Sequence, residues 1–480
     1  MQNRREQVQA YRFLTRRIVA GLLLGEPEAN ERPMRRFALA LIGGALIAAV
    51  VFAGVGIYGL VRPGGGHPAE NALILERESG AKFLYLQGRL HPVLNWTSAR
   101  LIAGNATPAV QTVSAASLRD VPRGRPVGIA GLPDELPDPS ALLGLPWSVC
   151  SAPRSAASAV PATYLFVGTA PGGGTPLDER AGLLVTTTDS PDRYLVYQDR
   201  RLRIRDNATV TALGWAGTPV AKVGDGLLNA LPAGPDLGVP AVPGSGERGP
   251  ASVGGAPTTV GQLFGVGDQY YVMMRSGLSP VGGVTARLML AAGITATPTT
   301  AAEAGRVLTG DRVEPPGFPT AIPAVELGGA GYPMLCALYQ GAPAADRPVR
   351  VHTYAAASDQ ARLVPEAAAP ALVGADGVRT ADRVVLPGGR ATLVRLLPPP
   401  GAAPGTTYLI TDQGFKYPLP IAAADKVRQS LGYAAVTPVS IPAALLALVP
   451  TGPALDPQAA TLFVAPAAAS PDGAATPSGP

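Results

Sequence analysis

One stretch of the chain, Phe37 to Val61, carries no charged side chain. It is about 25 residues long, which at about 1.5 Å of helical rise per residue is enough to cross a hydrocarbon core of about 30 Å. A cleaved signal peptide has a shorter apolar core, of about 7 to 15 residues, that lies closer to the start of the chain. A buried core helix of a soluble protein seldom stays uncharged for so many turns. The stretch therefore predicts one transmembrane helix at residues 37–61.

The arginines around this stretch predict its orientation. The head, residues 1–36, contains eight of them: Arg4, Arg5, Arg12, Arg16, Arg17, Arg32, Arg35 and Arg36. By the positive-inside rule the head is cytoplasmic, with Arg32, Arg35 and Arg36 setting the topology beside the membrane. The remaining bulk, about 420 residues, is then exported to the other side of the membrane.

The net positive charge of the chain belongs to this head. Of 39 basic and 34 acidic residues, the head holds eight and four, which leaves 31 and 30 for the exported part. Because no basic stripe remains there, we expect no nucleic-acid partner. The arginines of the head are explained by membrane orientation and by contact with anionic lipid.

Within the head, apolar residues recur at three- and four-residue steps and predict an amphipathic helix. Its apolar face consists of Val8, Tyr11, Leu14, Ile18 and Leu22. Such a helix lies either on the anionic inner leaflet or against a partner protein, and the sequence leaves both readings open.

Both cysteines of the chain, Cys150 and Cys336, fall in the exported part. Outside the cytoplasm no reducing pool protects thiols, which favours a disulfide; the alternative is two unpaired buried thiols. Closing a loop of about 186 residues would stabilise the fold by roughly 5 kcal/mol on the chain-entropy estimate. Neither a CxxC motif nor a Cys/His cluster indicates a metal site.

A repeated pattern occurs four times in the exported part. Each copy has a hairpin, a short helix and a return segment, and three of the four copies end in Val/Leu-Pro-x-Gly. This pattern is typical of a small α+β block, which needs neighbouring blocks to bury enough surface. The copies are predicted at 83–124 (repeat 1), 193–236 (repeat 2), 270–312 (repeat 3) and 407–458 (repeat 4). Their hairpins place His91, Arg203, Ser279 and Tyr417 at one equivalent position.

The segments between the repeats complete the predicted organisation. Residues 125–192 and 313–406 each hold one cysteine, so a disulfide would join them into one central domain. Residues 62–82 are predicted as a linker and the start of the central domain, 237–269 as a linker or central part, and 459–480 as a largely disordered tail.

The sequence contains little that indicates catalysis. There is no GxxxxGK[ST] motif. Gly265-Val266-Gly267 is only a fragment of a GxGxxG pattern and precedes a strand instead of a helix, so it is interpreted as a turn. We therefore expect no nucleotide cofactor. The three histidines are His67 in the membrane-proximal linker, His91 in a hairpin and His352 in the alternating strand Val349–Tyr354, with no GxSxG elbow. The acidic pairs Asp134/Glu135 and Asp178/Glu179 are interpreted as solvated loop residues.

The ordered combination of head, anchor and exported segments closely resembles the EccB family of the type VII (ESX) secretion machinery of actinobacteria. The segments that carry the resemblance are Arg5–Leu14, Arg16–Leu22, Pro33–Arg36, Gly56–Gly64, Asn95–Leu101, Trp147–Cys150, Leu335–Cys336 and the four repeats. The resemblance implies an α+β fold: a cytoplasmic helix, one transmembrane helix and a periplasmic body with a disulfide-tied, β-rich central domain and four repeat domains.

The same resemblance implies a function and partners. It implies a structural core subunit that builds a periplasmic scaffold, with the membrane ATPase EccC, EccD, EccE, the mycosin protease and copies of itself as partners. Some members of the family have been described as ATPases, but the chain carries no nucleotide-binding motif. The alternatives from other classes are a membrane-anchored ATPase or cell-envelope hydrolase, and a glycan-binding repeat module.

Overall fold

The computed structural model describes residues 4–24, 33–61, 68–155, 158–325, 334–341, 348–354, 379–398, 401–403 and 405–463. The chain forms two compact units, one of residues 1–92 with 108–125 and the other of residues 93–107 with 126–480. The observed α+β class, with one long apolar helix near the N-terminus and several small sheets, confirms the predicted fold class.

The first compact unit contains two helices and one small sheet. Its elements are α1 (Arg4–Leu24), α2 (Pro33–Val61), β1 (Leu73–Glu76), β2 (Lys82–Leu86), β3 (Arg89–Pro92) and β4 (Val110–Val113). The sheet has the order β3-β2-β1-β4 and packs Ile74, Phe83, Leu90 and Leu118 into its core. Arg123 stacks on the ring of Phe83, with its guanidinium carbon 4.5 Å from the ring centroid.

The second compact unit holds the rest of the described secondary structure. It begins with α3 (Trp96–Ala103) and the first central strands, β5 (Trp147–Ser155), β6 (Ser158–Val167) and β7 (Thr175–Pro176). Repeat 2 contributes β8 (Ala181–Thr187), β9 (Arg193–Tyr197), β10 (Arg200–Arg203), α4 (Asn207–Ala212), β11 (Ala221–Val223) and α5 (Asp225–Ala230). Repeat 3 contributes β12 (Leu263–Val266), β13 (Gln269–Met274), β14 (Gly277–Val281), α6 (Gly283–Ala291), β15 (Ala296–Pro298) and α7 (Ala301–Arg306).

The unit ends with the remaining central strands and repeat 4. After β16 (Ala324–Val325) come the central strands β17 (Met334–Tyr339), β18 (Val349–Tyr354) and β19 (Arg383–Val385). Repeat 4 contributes β20 (Ala391–Leu396), β21 (Thr407–Thr411), β22 (Lys416–Pro418), α8 (Ala424–Leu431), β23 (Val439–Ile441) and α9 (Ala443–Ala447), followed by α10 (Pro457–Ala460).

The four repeat sheets share one topology. Each has the strand order third-second-first-fourth, in which the first strand pairs antiparallel with the second and parallel with the fourth. Short side-chain caps start some of the connecting helices: Asn95 accepts from Ser98 N before α3, and Asp206 accepts from Thr209 N before α4.

The predicted repeat boundaries at 83, 193, 270 and 407 start too late. The first strand of each sheet lies earlier, in β1, β8, β12 and β20, within segments interpreted from sequence as linker or central domain. The hairpin of each repeat is a local signal, whereas a first strand is recognised by its parallel pairing with a strand that follows much later in the chain.

The return segment of each repeat runs parallel to the third strand. The bridged pairs are Leu90 with Arg123, Arg201 with Ala233, Leu278 with Leu308, and Lys416 with Thr451. This register makes Leu202, not Arg203, the counterpart of His91, and it confirms Ser279 and Tyr417 at that position. Leu202 is buried and Arg203 exposed, because successive strand residues point to opposite faces.

The exit glycine of a repeat leaves room for this side chain. A Cβ on Gly124 would lie 2.3 Å from the His91 ring, and one on Gly452 would lie 2.7 Å from the Tyr417 ring. The Pro-x-Gly exit is therefore a close-approach motif, in which the backbone of the return segment passes directly under a ring.

The central sheet is assembled from two distant parts of the chain. Its order is β19-β6-β5-β17-β18-β7. The strands β5, β6 and β7 come from residues 147–176, and β17, β18 and β19 come from residues 334–385. A disulfide joins Cys150 of β5 to Cys336 of β17 at the middle of this sheet. The predicted disulfide-tied, β-rich centre is confirmed.

Shared hydrophobic clusters give the packing order within the second compact unit. One cluster combines central-sheet residues with residues of repeats 2 and 4, for example Val149, Leu183 and Ile410. A second joins Leu101 of α3 to repeat 4, and a third joins repeat 2 to Val284 and Leu288 of repeat 3. Repeats 2 and 4 thus pack on the centre, while α3 packs on repeat 4 and repeat 3 packs on repeat 2.

The predicted C-terminal tail begins too early. Residues 457–460 form α10, and Phe463 makes an antiparallel bridge with Val127. Leu455 and Ala460 are fully buried in the cluster shared with α3 and repeat 4. The Ala- and Pro-rich composition that suggested a tail applies to residues 464–480, which lie outside the described residues.

Candidate functional site

The helix α2 has the length and composition of a membrane anchor. Its apolar span, Phe37–Tyr58, is 22 residues long and has no part buried inside the protein. The helix begins at Pro33, so Arg35 and Arg36 fall in its first turn, while Arg32 lies outside the described residues. With 29 residues the helix is about 43 Å long, which exceeds a hydrocarbon core of about 30 Å.

The helix α1 exposes an apolar stripe. Its five predicted positions are all exposed: Val8, Tyr11, Leu14, Ile18 and Leu22. Spacings of three and four residues place them on one side of the helix, beside arginines. An exposed apolar stripe of this extent marks a surface that contacts a membrane or another protein.

The disulfide lies in a closed interior. Cys150 and Cys336 face each other in register on antiparallel strands, with their Cα atoms 4.0 Å apart and exposures of 0% and 1%. Tyr164 and His352 extend the same row across the sheet, because Tyr164 lies opposite Cys150 and His352 opposite Cys336. Desolvation by burial raises the pKa of the Tyr164 phenol, and the nearby Asp382 carboxylate adds to this.

Two buried carboxylates form hydrogen bonds between distant segments of the second compact unit. Asp382 pairs with Arg154 and accepts from Thr163 N at 2.8 Å. Asp199, at the tip of the repeat 2 hairpin, accepts from Val351 N of the central sheet at 2.8 Å. Sequence reasoning missed both residues, because a single acid in a loop carries no local signal for a partner more than a hundred positions away.

A cavity lies between α3, the loop at residues 133–141 and the hairpin of repeat 4. Its volume is about 940 Å³, and its lining includes Trp96, Arg100, Asp134, Glu135, Asp138 and Asp412. Asp134 accepts from Trp96 N, and Asp412 accepts from Gly389 N. The acidic pair at residues 134 and 135, interpreted from sequence as solvated, thus lines a groove and caps the start of a helix.

Tyr433 secures the wall of this groove. Its buried hydroxyl donates to Pro137 O at 2.6 Å, and desolvation by burial raises the pKa of the phenol to about 12. Thr97 makes a matching contact from α3, where its hydroxyl donates to Pro133 O at 2.5 Å.

The motifs examined for catalysis occupy structural positions. Gly265 lies in β12 and Gly267 in the turn that follows, at φ +57°. His91 Nδ1 lies 2.9 Å from Arg125 O, and His352 is a residue of β18, as predicted; His67 lies outside the described residues. Within the described ranges, no group of three or more His, Cys, Asp or Glu side chains could hold a metal ion.

Comparison with known proteins places the chain in one family. A family model described as type VII secretion system ESX-1, transport TM domain B, matches residues 2–466. The chain is 29% identical over 472 residues to the "ESX-3 secretion system ATPase EccB3" of Mycolicibacterium smegmatis, covering 94% of this chain and 89% of the relative. It is 27% identical to the "ESX-1 secretion system ATPase EccB1" of Mycobacterium tuberculosis, covering 95% of this chain and 94% of the relative.

Solved structures show the same fold. A chain of an intact ESX-5 inner membrane complex matches with a TM-score of 0.66 and 26% identity, covering 98% of both chains. A chain of an EccB3 dimer from the ESX-3 core complex matches with a TM-score of 0.64 and 26% identity, covering 82% of this chain and 100% of that one.

Proposed function

Because the chain belongs to the EccB family of type VII secretion proteins, we propose that it is a core subunit of an ESX-type inner-membrane complex. The observation that carries this function is the family match across residues 2–466, which includes the anchor helix, the disulfide-tied centre and all four repeats. The protein acts as a structural scaffold for protein export.

The orientation of the chain follows from charge. The head, with eight arginines, remains cytoplasmic, and the helix at residues 37–61 crosses the membrane once. The nearly neutral bulk, including the disulfide, is periplasmic, where a buried disulfide persists. We place the boundaries of the repeat domains so that they include β1, β8, β12 and β20, and the shared strand order of the four sheets supports this placement.

The partners are the other subunits of the machinery. We assign contacts with EccC, EccD, EccE and the mycosin protease, and with further copies of the same chain. Two observations support this assignment: the exposed apolar stripe on α1 and the similarity to chains solved in an inner-membrane complex and in a dimer. The stripe of Val8, Tyr11, Leu14, Ile18 and Leu22 packs within the complex at the cytoplasmic side.

Gentle purification of the full-length protein tests the scaffold function. We expect the tagged chain, extracted from its native membrane in mild detergent, to retain the other secretion subunits as identified by mass spectrometry. The double variant Tyr11→Glu/Leu14→Glu should lose cytoplasmic partners, whereas Arg4→Gln/Arg5→Gln at the start of α1, which changes the charge of the head by the same amount, serves as the matched control. If the wild-type chain emerges alone, the scaffold assignment is wrong.

The orientation of the chain across the membrane is tested by cysteine labelling. Single cysteines introduced at residue 10 and at residue 268, in a chain whose own cysteines form a disulfide, should differ in their reaction with a membrane-impermeant maleimide. We expect labelling of intact cells at residue 268 alone. The reverse pattern would overturn the assigned orientation.

ATP hydrolysis is the second candidate, because the relatives carry the word ATPase in their names. None of the four lysines, Lys82, Lys222, Lys416 and Lys426, follows a glycine, so a P-loop is absent from the sequence. We expect the purified chain, freed of EccC, to show no ATP turnover above a buffer control. Turnover that persists through further purification would establish the second function.

A further inference from the structure

The two cysteines meet only through long-range strand pairing. They are 186 residues apart in the chain, and the loop between them contains repeats 2 and 3. The register of β5 with β17 places them directly opposite each other, at a Cα distance of 4.0 Å. The disulfide therefore reports that this central pairing has formed.

Once the sheet is complete, neither sulfur can be reached from outside. Cys150 and Cys336 are 0% and 1% exposed and share a cluster with Tyr164, Met334 and Tyr354, themselves 0%, 1% and 4% exposed. Tyr354 is held in place by a hydrogen bond from its hydroxyl to Pro171 O at 2.9 Å. Thiol–disulfide exchange needs a thiolate and access to a sulfur, and this environment supplies neither.

We propose that the Cys150–Cys336 disulfide is made during folding, while this face of the central sheet is still open, by exchange with the disulfide of an exported dithiol oxidase. This inference rests on the proposed export of the chain. The oxidation is a step that must precede the packing of Tyr164 and Tyr354 over the cysteines.

Two successive thiol–disulfide exchange steps form the bond. One cysteine thiolate attacks a sulfur of the oxidase disulfide, which forms a mixed disulfide and releases the other oxidase sulfur as a thiolate. The second cysteine thiolate then attacks the sulfur of the first, which forms the Cys150–Cys336 bond and releases the second oxidase thiolate. The protein is oxidised by two electrons and the oxidase is reduced by two; the two protons lost by the cysteine thiols pass through solvent to the two oxidase thiolates, which gives the dithiol.

Protection of the finished disulfide is tested in native membranes. Membranes holding the full chain are treated with dithiothreitol and then with a polyethylene-glycol maleimide, and the gel shift is recorded with and without guanidinium. We expect no shift in the native protein and a shift of two labels when it is unfolded. Reduction of the native wild-type protein would overturn the proposal.

Variants show which side chains block access of a reductant to the disulfide. Tyr164→Ala opens the face and should make the native disulfide reducible at least about tenfold faster, since access controls exchange. Tyr433→Ala removes an equally buried ring from a different cluster and should leave it protected. Tyr164→Phe keeps the ring and removes a hydroxyl that has no hydrogen-bond partner among the described residues, so its disulfide should also stay protected. If Tyr164→Ala fails to fold, the reduction experiment on the native wild-type protein still tests the proposal.

The order of events is tested by the timing of oxidation in cells. The chain is synthesised with dithiothreitol in the medium, translation is stopped, and diamide is added either at once or after a delay that allows folding. We expect the disulfide to form rapidly when diamide is added at once and slowly when diamide is added after the delay. Equal rates in the two cases would overturn the proposed order. If the chain is not exported, both thiols stay free without dithiothreitol, which separates failure of the proposed function from failure of this inference.

Discussion

The carboxylate of Asp382 accepts a hydrogen bond from the backbone N–H of Thr163 at 2.8 Å, although the two residues are 219 positions apart. The same carboxylate pairs with Arg154, so one side chain connects the start of β19 to β5 and β6. The Asp382 side chain is 8% exposed, and this low exposure makes the contact a strong structural requirement.

Replacing Asp382 with asparagine should lower the free energy of unfolding by about 2 to 4 kcal/mol, because the substitution removes the charge that the buried carboxylate contributes to its pair with Arg154. Denaturant unfolding followed by tryptophan fluorescence measures the change. Asp425→Asn is the matched control: that side chain is 95% exposed in its pair with Arg428, so a change below about 1 kcal/mol is expected. Equal effects of the two substitutions would contradict the assigned role.

Stability should fall at high pH through Tyr433. The phenol has an ordinary pKa of 10.0, and desolvation raises it to about 12 in the folded protein. Between these values the folded state binds more protons than the unfolded state, so the free energy of unfolding decreases as pH rises. The full contribution of this group is expected below pH 10, and a loss of roughly 2 kcal/mol by pH 12 follows from it.

Tyr433→Phe isolates the contribution of this phenol to the pH dependence. The variant loses the hydrogen bond to Pro137 O, which costs about 1 kcal/mol near neutral pH, but it lacks the titrating group. The difference between the wild type and the variant should therefore shrink and then reverse in sign above about pH 11. A difference that stays constant from pH 9 to pH 12 would show that Tyr433 titrates normally.

A methyl group at Gly452 should destabilise repeat 4. The added Cβ would lie 2.7 Å from Cε1 of Tyr417, a ring that is 1% exposed and cannot move aside freely. We expect Gly452→Ala to cost about 1 to 3 kcal/mol in the free energy of unfolding, as overpacking does. Gly388→Ala provides the control, because a Cβ there has no neighbour within 4 Å. Thermal unfolding of both variants distinguishes the close approach from a general effect of alanine.

Lys416 should stabilise the short helix α9. Its Nζ donates to Leu446 O at 2.6 Å, and the equivalent Arg201 donates to Leu228 O of α5 at 3.0 Å. Because helix ends leave carbonyl groups without intrahelical partners, we expect Lys416→Met to reduce the protection of amides at residues 443–447 by about 1 to 2 kcal/mol. Hydrogen exchange measures this loss, and Lys426→Met on α8 is the control that should leave those amides unchanged.

Two motifs that were considered for catalysis show how well a local sequence pattern predicts local structure. The strand predicted around His352 lies where expected, since alternation is a local pattern. The turn predicted at Gly265–Gly267 begins only at Gly267, because Gly265 and Val266 belong to β12. By contrast, nothing local marks Asp134 as a groove residue or Asp199 as an anchor, because their partners come from other segments.

The sequence by itself determined the anchor and the hairpins of the repeats, because hydrophobicity and turn preference act over a few neighbouring residues. The pairing of the two cysteines was decided by the register of β5 with β17. Tertiary structure alone decided that β1, β8, β12 and β20 complete the four sheets, and that Leu202 takes the place of His91. Parallel pairing joins strands far apart in the chain, and its register is set by which side chains the closed core can hold.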